Sequence, residues 1–388
     1  MRATAHGARC AVQEMLRVQR CCGGRRGLHN SAEPSSFAPP ASETAVSAHD
    51  ARLLADFIAP GGVVCVTGAG ISTASGIPDY RSARGSYSKG HVPVQHMEFL
   101  SNEEKRKRYW ARSLAGYKYF ASRQPNSAHF AVAALQAAGL VTGVITQNVD
   151  QLHTHAGSGN VIDLHGTNDK VECQSCGARH ERWAFQEEVE ARNRAWILAN
   201  LQGPGALGGA EVDIRADGDA NLSHEDFRGF EVPGCRACGG VVMPTVVFFG
   251  GVIPKERKES AREMMRAASR ILVLGTSCEV GSVFHLVRGA LEKEPPEHLK
   301  LGVDLAIVNI GQTRLERDLA PALAGWWCIS WCICRGKFMH MHTHTHIHPP
   351  TYAHERRRAP AMNSVALGYA LRMRRKACKT PQGRGRVQ

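Results

Sequence analysis

No stretch of the 388 residues approaches the roughly 18 consecutive apolar residues of a membrane span, so a soluble chain with no membrane partner is expected. A standard dinucleotide fingerprint is missing too. The apolar run Val63-Val64-Cys65-Val66 leads into Thr67-Gly68-Ala69-Gly70-Ile71-Ser72, but Thr73 stands where the third glycine belongs. No acidic residue follows at the distance that would hold a ribose, which disfavours a hydride-transfer domain. Glycines directly after a buried strand still let backbone amides close on a pyrophosphate, so the run marks a nucleotide site.

Acidic residues are scarce at both ends. Residues 1–30 hold six Arg against Glu14, and residues 335–388 hold twelve Lys or Arg against Glu355. The ends therefore carry more than the whole net charge of +13, and the middle is slightly acidic. No broad basic field remains there to bind a polyanion, which argues against a nucleic-acid partner. The first 30 residues are rich in Arg, Ala and Ser, with Met15, Leu16 and Val18 set among Arg17 and Arg20. They read as a mitochondrial presequence and predict a matrix location, with a linker over 31–47; a disordered basic tail is the alternative reading of the same composition. The 13 cysteines are too unevenly placed for a disulfide framework in a chain of this size and address. Cys65 and Cys278, beside apolar strands, read as buried thiols.

From residue 48 onward, apolar strands alternate with helices. Strands are predicted at Val63–Val66, Val141–Thr146, Val241–Phe249, Arg270–Gly275 and Asp304–Ile310, and helices at Ala48–Ala59, Ala128–Ala138 and Lys255–Ala268. Short apolar strands separated by helices imply a parallel sheet covered on both faces, hence an α/β fold with a Rossmann-like, doubly wound parallel sheet. Its parts are 48–82, 126–169 and 241–325. A helix-prone insertion over 83–125 and a lobe over 170–240 with two Cys pairs interrupt it, predicting a smaller, discontinuous zinc-binding and helical lobe beside a ligand cleft. Residues 326–388 form a low-complexity tail. Its alternating His and Thr from Met339 to His348 are what a translated CA repeat yields, as a wrong exon choice would produce, and disorder is expected there.

Cys173-x-x-Cys176 and Cys235-x-x-Cys238 are two knuckles of a four-thiolate zinc site. Gly177 and Gly239 follow them where a turn benefits from positive φ. A closed set of four sulfurs leaves no open position, so one structural ion is expected. Gln147, Asn148 and Asp150 begin where the strand Val141–Thr146 ends, at the edge of a parallel sheet where ligands sit; they suit ribose hydroxyls or a carboxamide, although strand ends also favour Asn and Asp for turn reasons. His165 follows Val161-Ile162-Asp163-Leu164 and precedes the first knuckle, joining the two lobes. An imidazole there can act as a base near neutral pH, though a lone His is more often structural.

These signals in this order resemble the sirtuin family of NAD-dependent protein deacylases over about residues 48–320, and within it the class II mitochondrial branch typified by sirtuin 4. The matching runs are GISTASGIPDYRS at 70–82, Arg108-Tyr109-Trp110-Ala111-Arg112, Gln124-Pro125-Asn126 with Ala128-His129, and Val308-Asn309-Ile310-Gly311 with Thr313-Arg314. The resemblance implies that Gly68, Ala69 and Gly70 line the pyrophosphate of NAD, a co-substrate, and that Asp79, Tyr80 and Arg81 lie on a mobile loop over the nicotinamide ribose. It implies that Gln147, Asn148 and Asp150 serve that ribose and the carboxamide pocket, with Asn148 and Asp150 in the catalytic set beside the general base His165. Gly275, Thr276, Ser277 and Asn309 would meet the adenine ribose. Tyr109 and Arg112, one helix turn apart, would face the acyl pocket and suit a carboxylate-bearing acyl chain. The substrate, an acylated protein lysine, would enter as a strand against Val247, Phe248, Phe249 and Gly250, and opposite them Glu279, Val280 and Gly281.

The chemistry implied is acyl transfer from lysine to ADP-ribose with release of nicotinamide. Protein ADP-ribosyl transfer is the alternative on the same fold, and a catalytically silent NAD-binding regulator the third reading. The chain departs from the family pattern at Gly251, where an acidic residue is usual, and at Cys278, where a hydrophobic residue is usual. The family's final strand is expected to be absent beyond residue 320, leaving an open sheet edge.

Overall fold

A computed structural model describes residues 48–83, 85–201, 213–222, 227–291, 303–319, 328–334 and 337–340. All of them fall in one compact unit spanning residues 1–345. The segments expected to be a presequence (1–30) and a linker (31–47), and most of the tail, lie outside the described residues.

Helix α1 (Ala48–Ile58) leads into β1 (Val63–Thr67), whose five residues are all buried. A strand with no exposed face must be covered on both sides, and its side chains alternate between two cores. Val64 and Val66 point into one; Val63 and Cys65 point into the other. After β1 the chain makes a 3₁₀ turn (Ala69–Ser75), then α2 (His96–Ser101), α3 (Glu103–Ala121) and α4 (Ser127–Ala137). Helix α3 starts where the Asn102 side chain accepts from Lys105 N at 3.0 Å, with Glu103 and Glu104 favourably placed at the positive end of the helix dipole. Helix α4 starts at Asn126, whose side chain accepts from Ala128 N while the His129 ring reaches back to Asn126 N. The same cap ties the 3₁₀ turn down, because Asn126 Nδ2 also donates to Ile71 O at 2.8 Å and Ser75 Oγ at 3.0 Å.

Strand β2 (Val141–Thr146), helix α5 (Leu152–His155) and strand β3 (Val161–Asp163) follow. The chain then crosses to the smaller lobe with β4 (Gly166–Cys173), β5 (Arg179–Glu181), α6 (Arg182–Arg192), α7 (Arg194–Asn200) and β6 (Val242–Val246). It returns through α8 (Lys255–Ala267), β7 (Arg270–Leu274), α9 (Gly281–Leu291), β8 (Asp304–Asn309) and α10 (Arg314–Leu319), and ends in β9 (Cys328–Cys334) and β10 (Lys337–His340).

The large sheet runs β10-β9-β8-β7-β1-β2-β3, parallel except for the last hairpin, and the small sheet runs β5-β4-β6, antiparallel. Helices α8 and α9 cover one face with Met265, Phe284 and Val287, and α1 and α4 cover the other with Ile58, Val132 and Leu135. The structure is the α/β fold expected, a Rossmann-like parallel sheet with a smaller, discontinuous lobe.

Two expectations need correction. The run at 241–249 is not a strand of the parallel sheet: β6 is an edge strand of the small sheet, where Pro244, lacking an N–H, is tolerated. The sheet also does not stop at β8. The backbone of β9 pairs parallel to it, from Leu305 with Cys328 to Asn309 with Cys332, so a strand occupies the edge expected to be open. Ile329, Trp331 and Ile333 are strand formers that a low-complexity reading of the tail passed over.

Candidate functional site

The carboxyl ends of β1, β2, β7 and β8 open onto one cavity of about 1930 Å³ that continues between the lobes. Its floor is a contact of two glycine turns. Gly70 N donates to Gly275 O at 2.8 Å, and Gly68 N to Leu274 O at 3.3 Å. A Cβ on Gly68 would stand 2.6 Å from Thr276 Cβ, and one on Gly70 would stand 2.7 Å from Gly275 O, so neither position admits a side chain. The backbone is thereby bared to the cavity, as a cradle for a pyrophosphate requires. Gly68, Ala69, Gly70, Gly275, Thr276, Ser277 and Asn309 all line it. Asn309 Nδ2 bends back to its own turn, to Ile310 O at 3.1 Å and Gly311 O at 3.0 Å.

Beyond the cradle, the loop after β2 is fastened to the 3₁₀ turn. Gln147 Nε2 donates to Thr276 Oγ1 at 2.8 Å, and Asn148 Nδ2 donates to Gly68 O at 3.1 Å and Ser72 Oγ at 3.0 Å. The Ser72 hydroxyl in turn donates to Asp150 Oδ2 at 2.7 Å. Burial holds the Asp150 carboxyl above its usual range, against the opposing pull of the Leu152 amide and the Ser72 hydroxyl. Gln151, next in the chain, sits at a positive φ of 57°, a strained conformation for a residue with a side chain. Behind this layer His129 and His153 pack ring to ring at 4.9 Å, and His153 Nε2 lies 3.0 Å from Thr67 Oγ1.

His165 stands where the two lobes join, and Val247 N donates to its carbonyl at 2.7 Å. Its Nδ1 lies 3.3 Å from Gln147 O, a pure acceptor, which places the proton on Nδ1. Nε2 is then left as the basic nitrogen, 2.9 Å from Ser282 Oγ. Burial lowers the imidazole's pKa, only partly offset by the carbonyl of Gln147, and keeps the ring neutral.

The loop carrying Asp79, Tyr80 and Arg81 borders the same cavity. Asp79 Oδ1 accepts from the amides of Arg81 at 3.0 Å and Ser82 at 2.8 Å. Arg81 stacks over the Tyr87 ring at 5.2 Å. Tyr109 and Arg112 both line the cavity, but Tyr109 is also part of an aromatic cluster, 5.1 Å from Phe248 and 5.3 Å from Phe99. Val247, Phe248, Phe249 and Gly250 form one wall, where Phe249 O accepts from His96 N at 2.8 Å; Phe248 is buried and Phe249 is 41% exposed. Sequence reasoning assigned no role to Ser72, Ser282 or the segment 213–221 that lines the cavity from the small lobe. Only the last carried a signal, its Asp-Gly-Asp spacing in a Gly-rich loop.

Some distance away, the sulfurs of Cys173, Cys176, Cys235 and Cys238 all lie within 4.8 Å of one another. Cys173 to Cys238 is 3.5 Å and Cys176 to Cys235 is 3.7 Å, against the ~3.8 Å that a tetrahedron of ~2.3 Å zinc–sulfur bonds requires. Gly177 and Gly239 both have a φ of 72°, as the tight knuckle turns need. Amides of Cys176 and Ser175 favour a thiolate at Cys173, while, against the pull of the Gly240 amide, crowding by the other sulfurs raises the Cys238 thiol, so without a cation the four do not ionise together. The donor set suits one structural zinc ion, with no sulfur left over for chemistry.

A family model described as the Sir2 family matches residues 68–282. NAD-dependent protein deacetylase 1 of Streptomyces coelicolor is 43% identical over 292 residues, spanning 73% of this chain and 91% of that protein. NAD-dependent protein deacylase SIR4 of Monosiga brevicollis is 43% identical over 266 residues, spanning 68% of this chain and 81% of that protein. A solved Sir2 variant with a deacetylated p53 peptide and 3′-O-acetyl-ADP-ribose superposes with a TM-score of 0.51 at 29% identity, over 69% of this chain and 89% of the other. With the glycine cradle, the Asn148–Ser72–Asp150 network and the four-sulfur site in place, the chain belongs to the sirtuin, or Sir2, family.

Proposed function

We propose that this chain is an NAD-dependent protein-lysine deacylase of the class II branch typified by sirtuin 4, acting in the mitochondrial matrix. The observation that carries the activity is the setting of His165: a neutral imidazole with its Nδ1 proton engaged by Gln147 O and its Nε2 lone pair aimed into the cavity that the glycine cradle opens. Relatives named as NAD-dependent deacetylases and deacylases, and a neighbour holding a deacetylated peptide with an acetylated ADP-ribose, support the same reading. NAD supplies a cleavable glycosidic bond whose ribose carbon accepts the acyl oxygen of the modified lysine.

This chain's residues supply the rest. The bare Cα positions of Gly68 and Gly70 let the pyrophosphate approach the backbone of the turn closely, while their own amides hold the floor through Leu274 O and Gly275 O. Asn148, which lines the cavity and is held by Ser72, presents its amide to the ribose hydroxyls and carboxamide, and Asp150 fixes that arrangement from behind through the Ser72 hydroxyl. The apolar wall of Val247 and Phe248 excludes water from the reacting carbons. His165 Nε2 takes the proton of a ribose hydroxyl, freeing that oxygen to attack the acyl carbon, and Ser282 Oγ holds the lone pair in line until substrate replaces it. The zinc stiffens the small lobe and takes no part in the reaction. Matrix location rests on the Arg-rich, acid-poor residues 1–30.

The test is to incubate the zinc-loaded chain with NAD and lysine peptides bearing acetyl, lipoyl, glutaryl or methylglutaryl groups, following nicotinamide and acyl loss together. Nicotinamide release matched by acyl loss is expected. Labelled protein without acyl loss would replace this reading with ADP-ribosyl transfer, and silence from a folded sample would replace it with a regulator. Fusing residues 1–47 to a fluorescent reporter checks the location, with a diffuse cytosolic signal counting against it.

A further inference from the structure

The wall of Val247, Phe248, Phe249 and Gly250 does not end the cavity. Past Gly250 the lining continues between helices α8 and α9, along Lys255, Lys258, Arg262 and Arg266 on one side and His285, Leu286 and Gly289 on the other. These positions recur at helical spacing, so each set is one face of its helix. Ala261, Met265 and Ala290 form a buried apolar floor, and a Cβ on Gly289 would meet nothing within 4 Å, so the space between the helices is an open trough. It starts at the mouth of the site. A lysine whose acyl group reaches His165 leaves its own backbone between Phe249 and Gly250 on one side and Val280 and Gly281 on the other, and there both helices begin. From Lys255 to Arg266 the helix face runs about 16 Å, the reach of about five residues of extended chain.

The first turn of α8 reads Lys255-Glu256-Arg257-Lys258, an excess of cations at the end of a helix where the dipole is already positive. Helix α3 does the opposite and starts on Glu103 and Glu104. Arg257 faces away from the trough, into a small cleft beside Asp163. Lys255 and Lys258 are exposed, and neither ammonium has a hydrogen-bond or ion-pair partner among the described residues. Farther along, Arg262 and Arg266 both donate to Glu259, at 3.4 Å and 2.6 Å. Glu259 is the one acid lining the trough among the described residues. Helix α9 brings none, and Glu279 at the mouth is held by Arg317 at 2.7 Å. A helix that starts on two unpaired lysines is stabilised by any anion laid beside them, and a local rule broken at the mouth of a site points to the ligand of that site.

We propose that the trough between α8 and α9 holds the flank of the substrate polypeptide on one side of the acyl-lysine, and that Lys255 and Lys258 select flanks carrying Asp or Glu within about five residues of it. The apolar floor takes the backbone and small side chains, and the two ammonium groups at the head of the trough take the carboxylates. A channel between two helices fits an extended chain and not the flat face of a bilayer. This rests on the deacylase reading above and names a substrate class within it, acyl-lysines set in acidic stretches.

The experiment uses the full chain loaded with zinc and one peptide, bearing the acyl group that the chain removes best, in three forms: neutral flanks, two Glu before the lysine, or two Glu after it. The acidic to neutral ratio of kcat/KM is measured at about 50 and 500 mM NaCl. It is expected to reach roughly three- to tenfold for one flank and to stay near one for the other, and to collapse at the higher salt, as exposed ion pairs do. Lys255→Glu combined with Lys258→Glu should bring the ratio below one. That reversal suits the helix dipole, so the melting temperature should not fall, and the salt-dependent ratio of the unmodified chain decides the matter without it. Acyl loss with a ratio near one for both flanks, with both flanks favoured equally, or with a preference that survives the double substitution overturns the assignment and leaves the deacylase reading intact. Binding to phosphatidylserine vesicles that the double substitution abolishes, with no discrimination among the peptides, overturns it in favour of a membrane surface. Acyl loss from no peptide overturns both.

Discussion

Ser72→Ala separates the role of the 3₁₀ turn from that of the residues it holds. The hydroxyl is fully buried, donates to Asp150 Oδ2 at 2.7 Å and accepts from Asn148 Nδ2 at 3.0 Å. Removing it deletes a bond to a carboxylate, worth about 1.5–3 kcal/mol, and a neutral bond worth about 1 kcal/mol more; Asn148 Nδ2 is left with its tie to Gly68 O, beside the backbone bond of Asn148 N to Thr146 Oγ1. The expected loss is about 2–4 kcal/mol, which for a domain of this size lowers the melting temperature by roughly 5–15 °C. The loss should depend on pH in a definite direction. Asp150 is already raised by burial in the folded state, and without the hydroxyl it rises further. A folded-state pKa above the unfolded one contributes stability below the unfolded value that is lost as pH rises through the folded one. The variant is therefore weakest relative to the parent at neutral pH and recovers on acidification. In steady-state assays KM for NAD should rise more than kcat falls, because the ribose-facing groups are loosened while His165 is untouched. Calorimetry from roughly pH 5 to 8 with NAD titrations reads both effects. A melting temperature within about 2 °C of the parent's together with an unchanged KM would refute the reasoning.

Three further outcomes are expected. His165→Tyr removes the base and should lower acyl transfer by about 10²–10⁴-fold with the fold retained, and unchanged turnover would remove His165 from the mechanism. Cys173→Ser should abolish binding of the one zinc ion and loosen the small lobe; full zinc content with normal melting would contradict the four-sulfur site. Burial holds His129 at about 3 and His153 at about 4, so between the ordinary imidazole value and those values the unfolded chain binds protons that the folded chain refuses. Stability should fall on acidification through that window by up to about 1.4 kcal/mol per pH unit for each ring, and replacing both with Gln should flatten the slope. Equal slopes in parent and variant would show that neither ring is held neutral.

What could be read from the chain was what lies close together along it. The apolar runs of β1, β2, β7 and β8 are contiguous, and so are the glycine turn, the knuckles and the residues that follow β2; each carries its own physical signature within about ten residues. What escaped depends on pairing across the chain. Val242–Val246 has the apolar character of a parallel strand, and nothing local says that Val171 and Cys173 will pair with it antiparallel in another sheet. The run Cys328–Cys334 is masked by the His-Thr repeat beside it, although its own residues favour a strand and the edge of β8 receives it. Ser282 meets His165 across 117 positions, and Ser72 meets Asn148 across 76, by hydroxyls that any loop can carry. The same reasoning explains the small-lobe end of the cavity. Tyr109 and Arg112 are legible as a pair because they share a helix face. The hairpin over 213–221 that lines the cavity beside them lies far along the chain, and its seat is Gly116, a residue notable only for what it lacks. The lining of this end of the cavity is thus a property of the lobe contact rather than of either segment, and the Tyr-x-x-Arg pair read alone describes only part of it.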